Sequence, residues 1–344
     1  MATRAVLLTN LGSPDSYQVK DVRKYLDEFL MDKRVIDVPY FLRWLLVKGI
    51  IVPLRAPRSA AKYRTIWTGQ GSPLIEISRQ VQHKLSLEMR MPVELCMRYA
   101  NPTPNDAFRK LLDENPDLRE VVLVPLYPHY AMSSYETAVE HVEQAYAVGK
   151  YDFKLKIVPP FYNDSSYIHA LSQSIAPCLQ DNYDHVLFSY HGIPKRHVLK
   201  TDCTGSHCFS SSDCCSVTSS AHKFCYRHQV IATTNEVANK LNLRDDKFSI
   251  AFQSRLGNDE WLKPFTAEQL RKFPKLGVRK LVVVCPAFVS DCLETLEEIA
   301  VEGKEEFMRA GGETYSVVPC LNERDDWIKA LSRLVNFQFQ SVVA

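Results

Sequence analysis

This chain has no run that approaches the roughly 18 uncharged apolar residues of a membrane span, so it offers no candidate transmembrane helix. Its first residues, MATRAVLLTNLG, hold too short an apolar stretch before Asn10 for a secretory signal. An excess of charge of either sign is lacking as well, with 42 Lys and Arg against 40 Asp and Glu. The formal net charge is +2, which excludes a strong pull toward nucleic acid or acidic partners. No strand runs into Gly-x-Gly-x-x-Gly and there is no P-loop, so a nucleotide cofactor is not indicated. These absences lead us to expect a cytoplasmic protein in a reducing compartment. Ten cysteines are present there, and clustered thiols in such a setting bind metal more often than they form disulfides.

What is present is a chain of 344 residues, 46% hydrophobic and 24% charged, able to bury one large core or two ordinary ones. Apolar strands alternate with helical patterns: Ala5–Asn10, Val93–Tyr99, Glu120–Pro125, Phe153–Val158, the centre of Asp184–Pro194, Phe248–Phe252, Leu281–Cys285 and Tyr315–Val318 read as strands. This order predicts an α/β fold of two doubly wound, Rossmann-like lobes. Each lobe is expected to be a parallel sheet flanked by helices, with the active site in the cleft between them. The amino-terminal lobe is expected over 1–160, completed by 320–344. The carboxyl-terminal lobe is expected over 161–319, with a cysteine-rich loop at 201–226.

The stretch DHVLFSYHGIP, Asp184–Pro194, carries the first chemical signal. Val186–Phe188 form a buried strand that ends in Ser189, Tyr190 and His191, where open α/β sheets place their ligands. A lone histidine there is otherwise a satisfied core residue. A second signal is the helix Asp291–Arg309. Glu294, Glu298 and Glu302 recur every four residues and share a face, with Asp291 at its head. The plain alternative is a solvated acidic face. Hard carboxylates and an imidazole suit a divalent metal such as Fe²⁺, and also proton removal. Arg98, Tyr99, Tyr127 and Tyr130 at other strand ends imply an aromatic pocket for a flat apolar ligand. The stretch Tyr40–Leu54, followed by Arg55, Arg58, Lys62 and Arg64, is either a core helix or an amphipathic lip against a membrane or a greasy substrate.

In this order the motifs resemble the ferrochelatases: LLTNLGSP at Leu7–Pro14, GSPL at Gly71–Leu74, LYPHY at Leu126–Tyr130, FSYHGIP at Phe188–Pro194, FQSRLG with Trp261, CPAFVSDCLETLEEI at Cys285–Ile299 and VPCLN at Val318–Asn322. The resemblance spans nearly the whole chain. It implies Fe²⁺ insertion into a porphyrin in haem biosynthesis, with protoporphyrin IX or coproporphyrin III as substrate. It places the essential pair at His191 and Glu294, which would also contact the Fe²⁺ substrate. Asp291, Glu298 and Glu302 would form a proton or iron path, and Ser72, Arg98, Tyr99, Tyr127 and Trp261 would bind the porphyrin. A monomer or homodimer is expected, with peripheral contact to the inner membrane through 40–54.

One segment departs from many family members. TDCTGSHCFSSSDCCSVTSSAHKFCYRHQ spaces its thiols C-x₄-C-x₅-C-C-x₉-C. It resembles a bacterial subgroup thought to hold an iron–sulfur cluster in this internal loop. Thiolate clusters need four soft ligands. The resemblance favours a [2Fe–2S] cluster on Cys208, Cys214, Cys215 and Cys225, with Cys203 as the alternative ligand. A structural zinc on three cysteines and His207 or His222 is the competing reading. It would go with a different function, a non-catalytic haem- or metal-binding protein.

Overall fold

The computed structural model describes residues 2–255, 257, 259–260 and 261–341. Eight strands form two four-stranded sheets: β1 (Arg4–Asn10), β2 (Val93–Met97), β3 (Glu120–Pro125) and β4 (Lys154–Ile157) in the order β2-β1-β3-β4, and β5 (His185–His191), β6 (Phe248–Gln253), β7 (Lys280–Val284) and β8 (Thr314–Val317) in the order β6-β5-β7-β8. Every pairing is parallel. Helices connect successive strands in both halves. The architecture is therefore the expected pair of doubly wound, Rossmann-like parallel sheets. It follows from continuous apolar strands such as AVLL in β1 and VLF in β5, which satisfy their backbone only in a sheet covered on both faces.

The chain divides into two compact units. One comprises the described residues of Met1–Leu126, Met132–Pro159 and Glu323–Ala344, and the other comprises Tyr127–Ala131 and Pro160–Asn322. In the first, Leu7, Phe108, Leu111, Leu123 and Phe153 pack around β1 and β3. In the second, Leu187, Ala251, Leu281, Val283 and Phe307 pack around β5 and β7. The long helix expected over Asp291–Arg309 is different in kind. It is a π-helix over Glu294–Gly303 and an α-helix only over Lys304–Arg309. The cause is local. The Tyr315 hydroxyl donates to the Ile299 carbonyl at 2.9 Å, the acceptor an α-helix would offer to the Gly303 N–H. Gly303 admits that hydroxyl, because a Cβ there would lie 2.6 Å from it.

Candidate active site

In the second unit the polar groups gather at the carboxyl ends of β5, β6 and β7. His191 Nδ1 donates to the Gly192 carbonyl at 2.7 Å, which leaves Nε2 with a lone pair for a proton or a metal. The His191 carbonyl accepts from Tyr226 Oη at 2.8 Å. Phe288 meets the imidazole edge-on, with ring centroids 6.3 Å apart. Gly192 allows the strand end to close against its neighbour. Its N–H donates to the Gln253 carbonyl at 2.8 Å, and a Cβ would sit 2.7 Å from that oxygen and 3.2 Å from the Trp261 ring. The Trp261 indole N–H has no hydrogen-bond partner among the described residues. Leu256, in the FQSRLG motif, lies outside the described residues.

Gln253 ties three elements together. Its Oε1 accepts from Ser189 at 2.8 Å and from the Cys285 thiol at 3.9 Å, while its Nε2 donates to the Glu294 carbonyl at 3.5 Å. Ser254, in the left-handed region at φ 64°, donates both its N–H (2.9 Å) and its hydroxyl (2.6 Å) to Glu298. Burial pushes the Glu298 carboxyl above its ordinary range and the Glu294 charge adds to this. The Ser254 hydrogen bonds and the nearby His191 charge oppose it. Thus Glu298 feels the charges of both His191 and Glu294. Asp291 is buried and accepts from Thr295 Oγ1 at 2.8 Å and Asn322 Nδ2 at 2.7 Å. Glu302 is exposed, and Glu297 is buried. Tyr127 is buried at the start of the segment that joins this unit.

The first unit holds a second polar cluster, around a residue that carried no motif. Asp32 is buried and accepts from Arg98 (2.6 Å), the Tyr99 hydroxyl (2.8 Å), the Thr137 hydroxyl and the Arg34 N–H (2.8 Å). Burial works to raise its pKa. The hydrogen bonds from Thr137 and Arg34 and the Arg98 charge outweigh this and hold the carboxyl below its ordinary range. Arg98 also lies over the Tyr99 ring, 4.2 Å from its centroid. Tyr99 is 0% exposed, so its hydroxyl is spent inside the unit. Ser72 is buried and precedes the helix Pro73–Met89. A lone aspartate just after the helix Val19–Leu30 gave no sequence signal of this hub.

In the cysteine loop, Cys208, Cys214, Cys215 and Cys225 are buried and Cys203 is exposed. Asp202 folds the loop by accepting the N–H groups of Thr204 (2.9 Å), His207 (2.8 Å) and Cys208 (2.7 Å). Cys225 begins the helix Tyr226–Lys240 and takes the His228 N–H at 3.4 Å. Cys214 takes the Phe209 N–H at 3.4 Å and the Arg227 guanidinium at 3.5 Å. The Cys225 thiol is pushed down to about 6, first by a hydrogen bond from Cys215 and then by those from His228 and Cys208, against burial. Among the described residues no group of three or more His, Cys, Asp or Glu side chains has the geometry of a metal site.

A sequence model of the ferrochelatase family matches residues 3–338. The chain belongs to the ferrochelatase family. It is similar to the ferrochelatase of Opitutus terrae, at 48% identity over 344 residues covering 99% of each chain. To that of Stutzerimonas stutzeri it is 45% identical over 336 residues, covering 97% of this chain and 98% of the other. Among solved structures it is similar in fold to the sirohydrochlorin chelatase SirB from Bacillus subtilis subspecies spizizenii in complex with cobalt. That match has a TM-score of 0.56 at 10% identity, over 98% of this chain and 96% of that one. SirB from Bacillus subtilis with Fe³⁺ matches with a TM-score of 0.55 over the same shares, also at 10% identity. At that identity the likeness concerns the fold alone.

Proposed function

We propose that this ferrochelatase-family enzyme inserts Fe²⁺ into its porphyrin at the strand ends of the second unit. The carrying observation is His191, whose Nδ1 is committed to Gly192, so that Nε2 keeps its lone pair, and whose charge is felt by the buried Glu298. The reaction exchanges two pyrrole N–H protons for one Fe²⁺, so a base must face the macrocycle as the metal enters. His191 fills that role and touches the metal. Glu294 stands across the ring. Glu298, whose burial favours its protonated form, takes protons onward toward solvent-exposed Glu302. Tyr127 and Trp261 of this unit contact the macrocycle. Ser72, Arg98 and Tyr99, the other residues that the family motifs assign to porphyrin binding, belong to the first unit, where Arg98 and Tyr99 are bound to Asp32.

The apolar face of Tyr40–Leu54 is the contact with a membrane surface. No helix among the described residues is long and apolar enough to cross one. We assign a [2Fe–2S] cluster to the cysteine loop, on Cys208, Cys214, Cys215 and Cys225, since the four sulfurs are buried and act on one another, and those of Cys214 and Cys225 receive N–H donors. Cys203 is the alternative ligand. Such a cluster supplies structure or redox sensing, and insertion itself uses His191 and the carboxylates.

The test is anaerobic incubation with Fe²⁺ and either protoporphyrin IX or coproporphyrin III, followed by loss of free-porphyrin fluorescence. His191→Ala should turn over at least about 100-fold more slowly, the usual contribution of a positioned acid–base group, while still binding porphyrin. Near-native turnover in that variant would overturn the role given to His191. Stoichiometric binding with no turnover by the unaltered protein would leave a haem- or metal-binding protein.

A further inference from the structure

We propose that Asn322 is a positioning residue for the acidic helix, and that Asp291 is its anchor there, not a carrier of iron or protons. The inference rests on the insertion chemistry assigned to Glu294 and Glu298. Asn322 follows β8 and Asp291 follows β7, so the pair joins the loops at two adjacent strand ends. The bonding is reciprocal. Asn322 Nδ2 donates to Asp291 Oδ2 at 2.7 Å, and the Asp291 N–H donates to Asn322 Oδ1 at 2.9 Å. The Asn322 backbone N–H adds a third link, to the Val289 carbonyl at 2.8 Å.

On the helix side, Thr295 Oγ1 donates to Asp291 Oδ1 at 2.8 Å and accepts the Cys292 N–H at 3.0 Å. The Cys320 thiol donates to Asp291 as well. Each oxygen of this buried carboxylate therefore has a neutral donor, and among the described residues no cation donates to it. To take up a metal or pass on a proton, Asp291 would have to release a donor and leave a buried amide or hydroxyl unpaired. Glu294, three residues on, begins the π-helix and is half-buried. Whatever fixes Asp291 fixes where Glu294 and Glu298 point. Asn322 sits at φ 48°, in the left-handed region that asparagine tolerates better than most residues, so its backbone is already shaped for the clamp.

The test exchanges the two side chains. Asp291→Asn sets an amide against an amide, and Asn322→Asp sets a carboxylate against a carboxylate. Each should lower kcat by about tenfold or more, the scale of a small misplacement of a catalytic group, with porphyrin KM little changed. The double variant Asp291→Asn with Asn322→Asp restores one donor facing one acceptor and should recover most of the lost kcat. A double variant as slow as the slower single one would show that the Asp291 carboxylate itself does chemistry, and would overturn the proposal. Asn322→Gly keeps the left-handed backbone while removing the clamp, so it serves if a single variant does not fold. It too should lose kcat at unchanged porphyrin KM, and a native kcat would refute the role of Asn322. Inactivity of the unaltered protein with Fe²⁺ and both porphyrins would instead refute the underlying reading.

Discussion

His129 shows how far one side chain in the second unit is tuned by burial. It is 3% exposed, donates from Nε2 to Thr233 Oγ1 at 2.9 Å, and stands edge-on to Tyr190 and Tyr226. Burial pushes its pKa down to about 3. In the unfolded chain it titrates near 6.5, as histidines do. Between those values the unfolded chain binds the extra proton, so stability rises with pH across the window and is fully present above about 6.5. His129→Gln can keep the donor to Thr233 and cannot titrate. We expect the loss of unfolding free energy between pH 7 and pH 5, measured by urea denaturation, to be about 2 kcal/mol smaller in the variant. Equal losses in both proteins would mean that His129 is not held neutral. At this scale the sequence was readable where a residue closes a strand inside a motif, as His191 and Gln253 do. It was silent on Asp32, which has no neighbours in sequence to mark it. Arg98 and Tyr99 stand at a strand end as expected, but only tertiary packing shows that their polar groups turn inward to Asp32.

The elements were more legible than their registers. The eight strands could be read because the central ones, buried on both faces, are continuously apolar, and the outer β4 and β8 follow in the same alternation with helical patterns. The π-helix could not be read, since Tyr315 imposes it from another strand while the local sequence still has helical spacing. A π-turn at Val47–Ile51 likewise joins Tyr40–Leu46 to Val52–Ile66. There the sequence left two readings open, and the exposures favour the outer one: Phe41 is 71% and Leu45 is 50% exposed. Arg43 is instead buried and donates to the Ile36 and Val38 carbonyls at 3.1 and 3.0 Å, which pins the helix start. Leu45→Asp with Leu46→Asp should therefore fold normally and lose liposome association by about tenfold or more, given the transfer free energy of two partly exposed leucines. Vesicle co-sedimentation beside a thermal melt measures both. Unfolding of the double variant would place the segment in the core.

For the molecule as a whole, the cysteine loop is the part that regular structure supports least. Between Thr201 and Ser219 it contains no strand or helix. It nevertheless leads into the helix Tyr226–Lys240, whose Tyr226 holds the His191 carbonyl and whose Gln229 accepts the Tyr130 N–H at 2.6 Å. Anaerobically purified protein should be reddish-brown, with visible bands that bleach on reduction and iron and sulfide in equal amounts. Cys208→Ser should lose the colour and lower the melting temperature, and its loss of activity should track the fraction still folded. Colourless protein carrying one zinc and no sulfide would point to the structural metal instead.

The discontinuity of the first unit bears on how the protein is made. Its helix Asp325–Gln340 packs on Pro73–Met89, and Lys156 Nζ donates to the Gln338 and Ser341 carbonyls at 2.7 and 3.0 Å. The unit that leaves the ribosome first thus borrows its last helix from the end of the chain. Residues 160–322 must be synthesised in between, which takes roughly 10–30 s at ordinary elongation rates. For that interval the nascent first unit exposes the apolar surface of Pro73–Met89 that the late helix covers, and at its end the second unit has all its residues synthesised while the first still lacks its closing helix. The lobe begun second is the one that can finish first.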